Sequence, residues 1–159
     1  LESVRPALEA RGHRLEWHVP DEPLTVHGDR ARLAQVYANL LDNAVKYTPP
    51  GGTIRVEAAR VAGDDGRAEV AVTVRDDGVG IAAEMLPRIF EAFVQVEGTL
   101  DRANGGLGLG LPVVRSLVEL HDGRVEAASE GPGHGTAVTV TLPLAGARAT
   151  EIKGSDPLI

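Results

Sequence analysis

The sequence contains no cysteine. It therefore has no thiolate nucleophile, no disulfide framework and no cysteine-based zinc site. No apolar run approaches the roughly 18 residues that a membrane-spanning helix needs, and no apolar core of a signal peptide is visible. Lysine and arginine (16) are outnumbered by aspartate and glutamate (23), and the net charge is -7. This acidic balance argues against nucleic acid as a partner, and we expect no direct membrane contact by this chain.

The length and composition are those of one globular domain. The chain has 159 residues, of which 43% are hydrophobic and 25% charged. It begins at Leu1, and its only methionine is Met85. We therefore expect a piece of a longer protein, with residues 1–12 as the end of a linker helix, 13–144 as the domain, and 145–159 as a linker or tail.

Hydrophobic periodicity predicts two long amphipathic helices and several strands. The first helix is capped by Asp29 and ends before Pro49, and the second spans 108–121. Shorter helices are predicted over 2–11 and 81–90, and strands over 13–19, 24–27, 53–60, 67–76, 124–129 and 136–142. This order predicts an α/β (α+β) two-layer sandwich, in which helices cover one face of a mixed, mostly antiparallel sheet.

Polar residues recur along one side of the first long helix. They lie at offsets of four, seven and eight from the first of them: Asn39, Asn43, Lys46 and Tyr47. An amide oxygen is a suitable ligand for Mg²⁺, a lysine one turn later can reach phosphate oxygens, and a tyrosine can cover an aromatic base. The same residues also fit a structural interpretation, in which Asn43 bonds to backbone and Lys46 is a solvated cation at the helix end.

A second motif, Asp76–Gly80, follows an apolar strand directly. Its glycines permit a tight turn and the close approach of a ligand to the backbone. A carboxylate at a strand end can accept a hydrogen bond from an exocyclic amine such as that of adenine. An ordinary Asp-Gly turn would explain the same residues.

A third motif, Gly105–Leu111, closes an aperiodic stretch over 91–106 and opens the second long helix. We interpret the stretch as a long mobile loop. Backbone N–H groups at a glycine-rich helix start form an anion site. The motif is neither a P-loop nor a Rossmann fingerprint, because it lacks the Gly-Lys-Ser/Thr ending and a strand directly before it.

Together and in this order, the motifs resemble the catalytic ATP-binding domain of sensor histidine kinases. That family shares the Bergerat fold with gyrase, mismatch-repair ATPases and heat-shock chaperones. The family's N, G1, G2 and F boxes and its final Gly-Thr turn resemble, respectively, Asn39–Tyr47, Asp76–Gly80, Gly106–Gly110, Ile89–Phe93 and Gly133–Thr136. The resemblance covers about residues 25–143 and implies a Bergerat fold with a mobile ATP lid.

The resemblance implies ATP and Mg²⁺ as ligands. Asn43 would ligate Mg²⁺, Asn39 would support the metal or phosphate site, and Lys46 would contact phosphate. Tyr47 would pack near the adenine, and Asp76 would accept from its amino group. The candidate catalytic residues are Asn39, Asn43, Lys46 and Arg102. The remaining nucleotide-binding candidates are Gly78, Gly80, Ile81, Phe93, Gly106, Leu107, Gly108, Leu109, Gly110 and Thr136, with Arg102 as a phosphate-binding residue of the lid.

The reaction implied is transfer of the γ-phosphate to a histidine on a separate phosphoacceptor domain, with a response regulator downstream. None of the five histidines begins the family's acceptor motif. Asn39 stands where gyrase-type ATPases carry a glutamate base, and an amide cannot take a proton from water. The alternatives are an ATPase or a serine kinase of the same superfamily, or a degenerate nucleotide-binding interaction module. We expect the domain in the cytoplasm, whether or not the parent protein is membrane-anchored.

Overall fold

The computed structural model describes residues 4–92, 94 and 110–148. Along these residues the elements follow the order α1 (Arg5–Ala10), β1 (Arg14–His18), α2 (Arg30–Tyr47), β2 (Thr53–Ala62), β3 (Arg67–Asp76), a 3₁₀ turn (Leu86–Arg88), α3 (Gly110–Glu119), β4 (Arg124–Ala128) and β5 (Thr136–Arg148). None of the helices within these ranges is both long and apolar enough to cross a membrane.

The strands form one open sheet in the order β1-β2-β3-β5-β4. β1 pairs in parallel with β2, and the other neighbours are antiparallel. The register places Val56 opposite Val74, and Val74 opposite Val138, so apolar side chains of adjacent strands share one face. The two-layer α/β sandwich expected from the sequence is confirmed.

Helices α2 and α3 cover that apolar face. The side chains buried most completely come from both layers: Val36, Leu40, Ile54, Val114, Val118 and Val140. Burial of one such side chain contributes about 1.5–3 kcal/mol, so this layer contact is the main source of stability. The opposite face of the sheet is not covered by a helix among the described elements, and it carries polar pairs such as Thr73 and Thr139, whose hydroxyl oxygens are 2.8 Å apart.

The ends of α2 follow from local chemistry. The Asp29 carboxylate accepts hydrogen bonds from the backbone N–H groups of Ala31 (2.9 Å) and Arg32 (3.1 Å), as an N-cap does. The helix ends at Tyr47, and Thr48 leaves the helical region with ψ 128°. The prolines that follow cannot continue a helix.

Several expected boundaries were wrong. The segment 24–27 is not a full strand but makes one bridge, Val26 to Leu144, and the short helix over 81–90 is reduced to the 3₁₀ turn around Pro87, because proline has no N–H to donate. The last strand runs to Arg148 instead of 142. Its extension pairs with a distant segment, since the N–H of Ala145 donates to the carbonyl of Thr25 at 2.8 Å, and local periodicity does not report such a partner.

Candidate nucleotide-binding site

A cavity opens between α2, α3 and the ends of β3 and β5. The described residues that line it are Leu40, Asn43, Ala44, Tyr47, Val74, Asp76, Val79, Gly80, Ile81, Ile89, Val94, Gly110, Leu111, Pro112, Thr136 and Val138. Most of these side chains are apolar, and a few are polar, among them Asn43, Asp76 and Thr136. An apolar pocket with a few placed polar groups is the usual form of a small-molecule site.

Asp76 is the one carboxylate among the described lining residues. Its Oδ1 accepts hydrogen bonds from the backbone N–H groups of Gly78 (2.9 Å) and Thr136 (3.3 Å). Burial raises the pKa of this carboxyl above its ordinary 3.8, those two hydrogen bonds lower it, and the neighbouring charge of Asp77 raises it further. The side chain is therefore held at one oxygen while the carboxyl faces an apolar cavity.

The loop after Asp76 is clamped by the turn between β4 and β5. The N–H of Gly133 donates to the carbonyl of Val79 at 2.7 Å, and the N–H of Gly135 donates to the carbonyl of Gly78 at 3.1 Å. A Cβ on Gly135, whose φ is +69°, would collide with the Asp76 carbonyl. The two backbones therefore approach closely because glycine stands at this contact.

Ser129 adds a side-chain link to the same clamp. Its Oγ accepts from the N–H of Ile81 at 3.0 Å and donates to the carbonyl of Gly135 at 2.7 Å. Ser129 was not among the site residues predicted from the sequence. No local signal marks it, because its partners lie 48 and 6 residues away along the chain.

Of the polar residues on α2, Asn43 and Tyr47 line the cavity. The Asn39 amide nitrogen is 3.5 Å from the carbonyl oxygen of Gly110, so it lies at the junction with α3. Lys46 does not line the cavity, and its ammonium lies 5.0 Å from the centroid of the Tyr47 ring. The helix thus presents Asn43 and Tyr47 to the cavity, while Lys46 lies over the Tyr47 ring.

The glycines differ in what they do. Gly80 lines the cavity with φ +70°, and an added Cβ would collide with the Gly131 carbonyl. Gly78 does not line the cavity, but it lets the loop pass against the Tyr47 carbonyl, which accepts from the N–H of Val79 at 3.0 Å. At the start of α3, a Cβ added to Gly110 would lie 3.8 Å from the Asn43 amide.

The other expected site residues occupy mixed positions. Ile81 and Thr136, which the resemblance assigned to nucleotide binding, line the cavity. Phe93, Arg102, Gly106, Leu107, Gly108 and Leu109 lie outside the described residues. Among the described residues, no cluster of three or more His, Asp or Glu side chains could hold a metal ion. The Asn43 amide supplies one oxygen to the cavity, and Mg²⁺ accepts such a ligand together with waters or oxygens of a bound molecule.

The aliphatic wall was not predicted as part of the site. Leu40 and Ala44 are buried in the core, and both also line the cavity. Val74 of β3 pairs with Val138 of β5, and both side chains line the cavity. The alternating apolar residues of these strands signalled a buried face, but not that part of this face is left open.

This fold and this cavity define a nucleotide-binding domain with an open sheet and one helical layer. The family model for histidine kinase-, DNA gyrase B- and HSP90-like ATPases matches residues 28–146. The chain therefore belongs to this family, and its relatives place it among the catalytic domains of sensor histidine kinases.

Two relatives and two solved structures illustrate the likeness. The signal transduction histidine-protein kinase BaeS of Escherichia coli K12 is 39% identical over 142 residues, which is 89% of this chain but 29% of that protein. The sensor histidine kinase RcsC from the same strain is 40% identical over 139 residues, or 87% of this chain and 14% of that protein. This chain thus spans less than a third of either.

The mycobacterial sensor histidine kinase MprB superposes with a TM-score of 0.72 at 33% identity, and the match covers 90% of this chain and 91% of that one. Full-length ShkA in complex with AMPPNP superposes with a TM-score of 0.74 at 34% identity, over 93% of this chain and 29% of that one. The ATP-analogue belongs to the ShkA structure.

Proposed function

We propose that this domain binds ATP with Mg²⁺ and transfers the γ-phosphate to a histidine of a separate phosphoacceptor domain. The observation that carries the proposal is the composition of the cavity: an amide, Asn43, and a carboxylate, Asp76, face a mainly apolar pocket. The carboxylate suits an adenine amine and the amide suits a metal bound to phosphates.

The adenine end of the site would be formed by Asp76, Tyr47 and the aliphatic wall. Because Oδ1 of Asp76 is occupied by the Gly78 and Thr136 N–H groups, Oδ2 is the atom available to accept from the exocyclic amine. Tyr47 lines the same cavity and can pack against the base. The glycines Gly78 and Gly80 let the loop backbone approach the base.

The phosphate end would be formed by α2 and the start of α3. Asn43 would hold Mg²⁺, which neutralises phosphate charge when bound, with Asn39 supporting it from one turn earlier. Lys46 would reach phosphate oxygens from the edge of the cavity. The residues assigned from the resemblance to surround the phosphates are Arg102, Gly106, Leu107, Gly108, Leu109 and Gly110, with Phe93 at the base of the lid.

A phosphotransferase fits the site better than an ATPase. Hydrolysis requires a group that takes a proton from water, and Asn39 carries an amide at the position where ATPase relatives carry a glutamate. Asp76 is the carboxylate among the described lining residues. It accepts hydrogen bonds from backbone N–H groups and is assigned to the adenine end of the site, away from the phosphates. We therefore expect bound ATP to persist until an imidazole arrives.

The phosphoacceptor would come from another domain. No histidine is among the described residues that line the cavity. His13 and His121 instead hydrogen-bond to backbone at helix ends. A response regulator would then receive the phosphoryl group, and the domain would act in the cytoplasm, where ATP is available.

The test combines this domain, γ-labelled ATP, Mg²⁺ and a separately produced acceptor-helix protein. The expected product is acid-labile, alkali-stable phosphate on the acceptor, with little phosphate release when the acceptor is omitted. Asn43→Ala should abolish Mg²⁺-dependent nucleotide binding in calorimetry. Gln35→Ala, on the exposed side of the same helix, serves as the matched control.

The alternatives predict different outcomes of the same experiment. Brisk phosphate release without acceptor would support an ATPase, and acid-stable phosphate would support a serine kinase. Binding without any transfer would support an interaction module. Unchanged nucleotide affinity in Asn43→Ala would contradict the metal assignment.

A further inference from the structure

The C-terminal end of α2 is capped by Thr48 and not by a glycine. A helix leaves its last four carbonyl groups without helical partners, and many helices satisfy them locally with a glycine. Here Thr48 follows in extended conformation, and its N–H and hydroxyl group both donate to the carbonyl of Ala44, the latter at 2.6 Å. The carbonyls of Val45, Lys46 and Tyr47 must find partners elsewhere.

Two of those carbonyls are capped by Arg11, which is 34 residues away in the chain. Its Nη1 donates to the carbonyls of Val45 (2.8 Å) and Lys46 (3.1 Å), and also to that of Thr48 (3.4 Å). The Nε2 of His13 lies 3.2 Å from the same Val45 oxygen. A guanidinium at this position also opposes the negative end of the helix dipole.

The third carbonyl connects the helix end to the nucleotide loop. The Tyr47 oxygen accepts from the N–H of Val79, within the loop that follows Asp76. The C-terminal end of α2 thus bonds to Arg11 through two carbonyls and to the loop after Asp76 through a third. The last turn that Arg11 caps contains both Lys46 and Tyr47.

Arg11 is itself fixed to the body of the domain. Its N–H donates to Ala7 of α1 at 3.2 Å, and its carbonyl accepts from the N–H of Gly51 at 2.9 Å. Helix α1 is anchored by Val4 and Leu8, which are 0% and 7% exposed in the core. The guanidinium is therefore presented to α2 by a segment whose buried side chains, Val4 and Leu8, do not line the cavity.

From these contacts we infer that Arg11 is a positioning residue, which holds the last turn of α2, and through it Tyr47 and the Val79 loop, in the arrangement that binds nucleotide. A shift of α1 would then change nucleotide affinity without touching the cavity. The inference rests on the proposed function, because the affinity concerned is that for ATP.

The test measures two quantities in the isolated domain. The first is the affinity for Mg²⁺ with AMPPNP by calorimetry, and the second is the hydrogen-exchange rate of the Val79 amide without nucleotide. Arg11→Met keeps much of the aliphatic stem and removes the donors. We expect about a tenfold loss of affinity and about tenfold faster Val79 exchange, because backbone carbonyls lose a charged partner.

The controls separate positioning from a general loss of stability. Arg55→Met breaks an ion pair with Glu16 (2.8 Å) in β1 and β2; it should leave both quantities within about twofold. Arg11→Lys retains a cation and should restore part of the affinity. A folded Arg11→Met protein with both quantities within about twofold of wild type, or an equal change in Arg55→Met, would overturn the inference.

Two further outcomes remain decisive. If Arg11→Met does not fold, Arg11→Gln is measured in its place, and an unchanged Val79 exchange rate there overturns the inference. If the wild-type domain binds no nucleotide, the proposed function fails. The exchange comparison in nucleotide-free protein then still tests whether Arg11 holds the Tyr47–Val79 contact.

Discussion

Replacing Asp76 by asparagine should separate nucleotide binding from folding. The Oδ1 of Asn can accept the same two hydrogen bonds, from the N–H groups of Gly78 and Thr136, that the carboxylate accepts. Neutral acceptors form weaker bonds than ionised ones, but the cost of burying a charge disappears. Since burial is the largest influence on the pKa of Asp76, we expect the free energy of unfolding to change by no more than about 1 kcal/mol.

The affinity for nucleotide should fall much more than the free energy of unfolding. A hydrogen bond to a charged acceptor contributes about 1.5–3 kcal/mol, which corresponds to roughly a 10- to 100-fold loss of affinity. The asparagine NH₂ group would also face the donor amine of the base. Calorimetric titration with Mg²⁺ and AMPPNP gives the affinity, and thermal unfolding of the same samples gives the stability.

The adjacent Asp77 offers a matched control. Its carboxylate accepts from the N–H of Thr53 at 2.8 Å, outside the cavity. Asp77→Asn should therefore leave affinity within about twofold. Equal affinities for wild type and Asp76→Asn, or a loss of affinity explained by unfolding, would refute the assignment of Asp76 to the base.

The raised pKa of Asp76 gives the same substitution a pH signature. Because the pKa is higher in the folded state than the ordinary 3.8, the contribution of this carboxyl to stability is fully present below 3.8, and is lost as pH rises through the raised value. If the amino group of adenine donates to the ionised Asp76 carboxylate, the nucleotide binds more weakly as pH falls through the raised pKa. Binding there should release a proton, seen as a buffer-dependent enthalpy that Asp76→Asn abolishes.

Two further predictions concern the clamp around the same loop. Gly135→Ala should cost roughly 3 kcal/mol in unfolding free energy, because the methyl group meets the Asp76 carbonyl at φ +69°; Gly133→Ala, at φ +84° with no atom within 4 Å of the new Cβ, should cost about 1 kcal/mol. Equal losses for the two in denaturant unfolding would contradict the collision. Ser129→Ala should cost about 1–3 kcal/mol and weaken nucleotide binding, since it leaves the Ile81 N–H unpaired. The exposed Ser116→Ala is its control, and matching melting curves would argue against the clamp.

Patterns among residues close in the chain were enough to predict the class of fold and the family. Helical spacing identified the side of α2 that carries Asn43 and Tyr47, and both reach the cavity. Alternation identified the apolar face of β3, and the Asp-Gly loop after it was placed at the strand end. These features depend on residues close in the chain, where periodicity and turn chemistry act directly.

Which distant groups meet at the site depends on how the helices and the sheet pack together. Lys46 was predicted on the same side of α2 as Asn43, yet it lies over the Tyr47 ring and does not line the cavity, whereas Leu40, which is buried in the core, does line it. The contacts of Arg11 with the end of α2 and of Ser129 with the loop join segments far apart in the chain. Such contacts form because backbone groups that have no local partner must pair with whatever donor or acceptor the packing brings near them. A local pattern of residues therefore does not predict them.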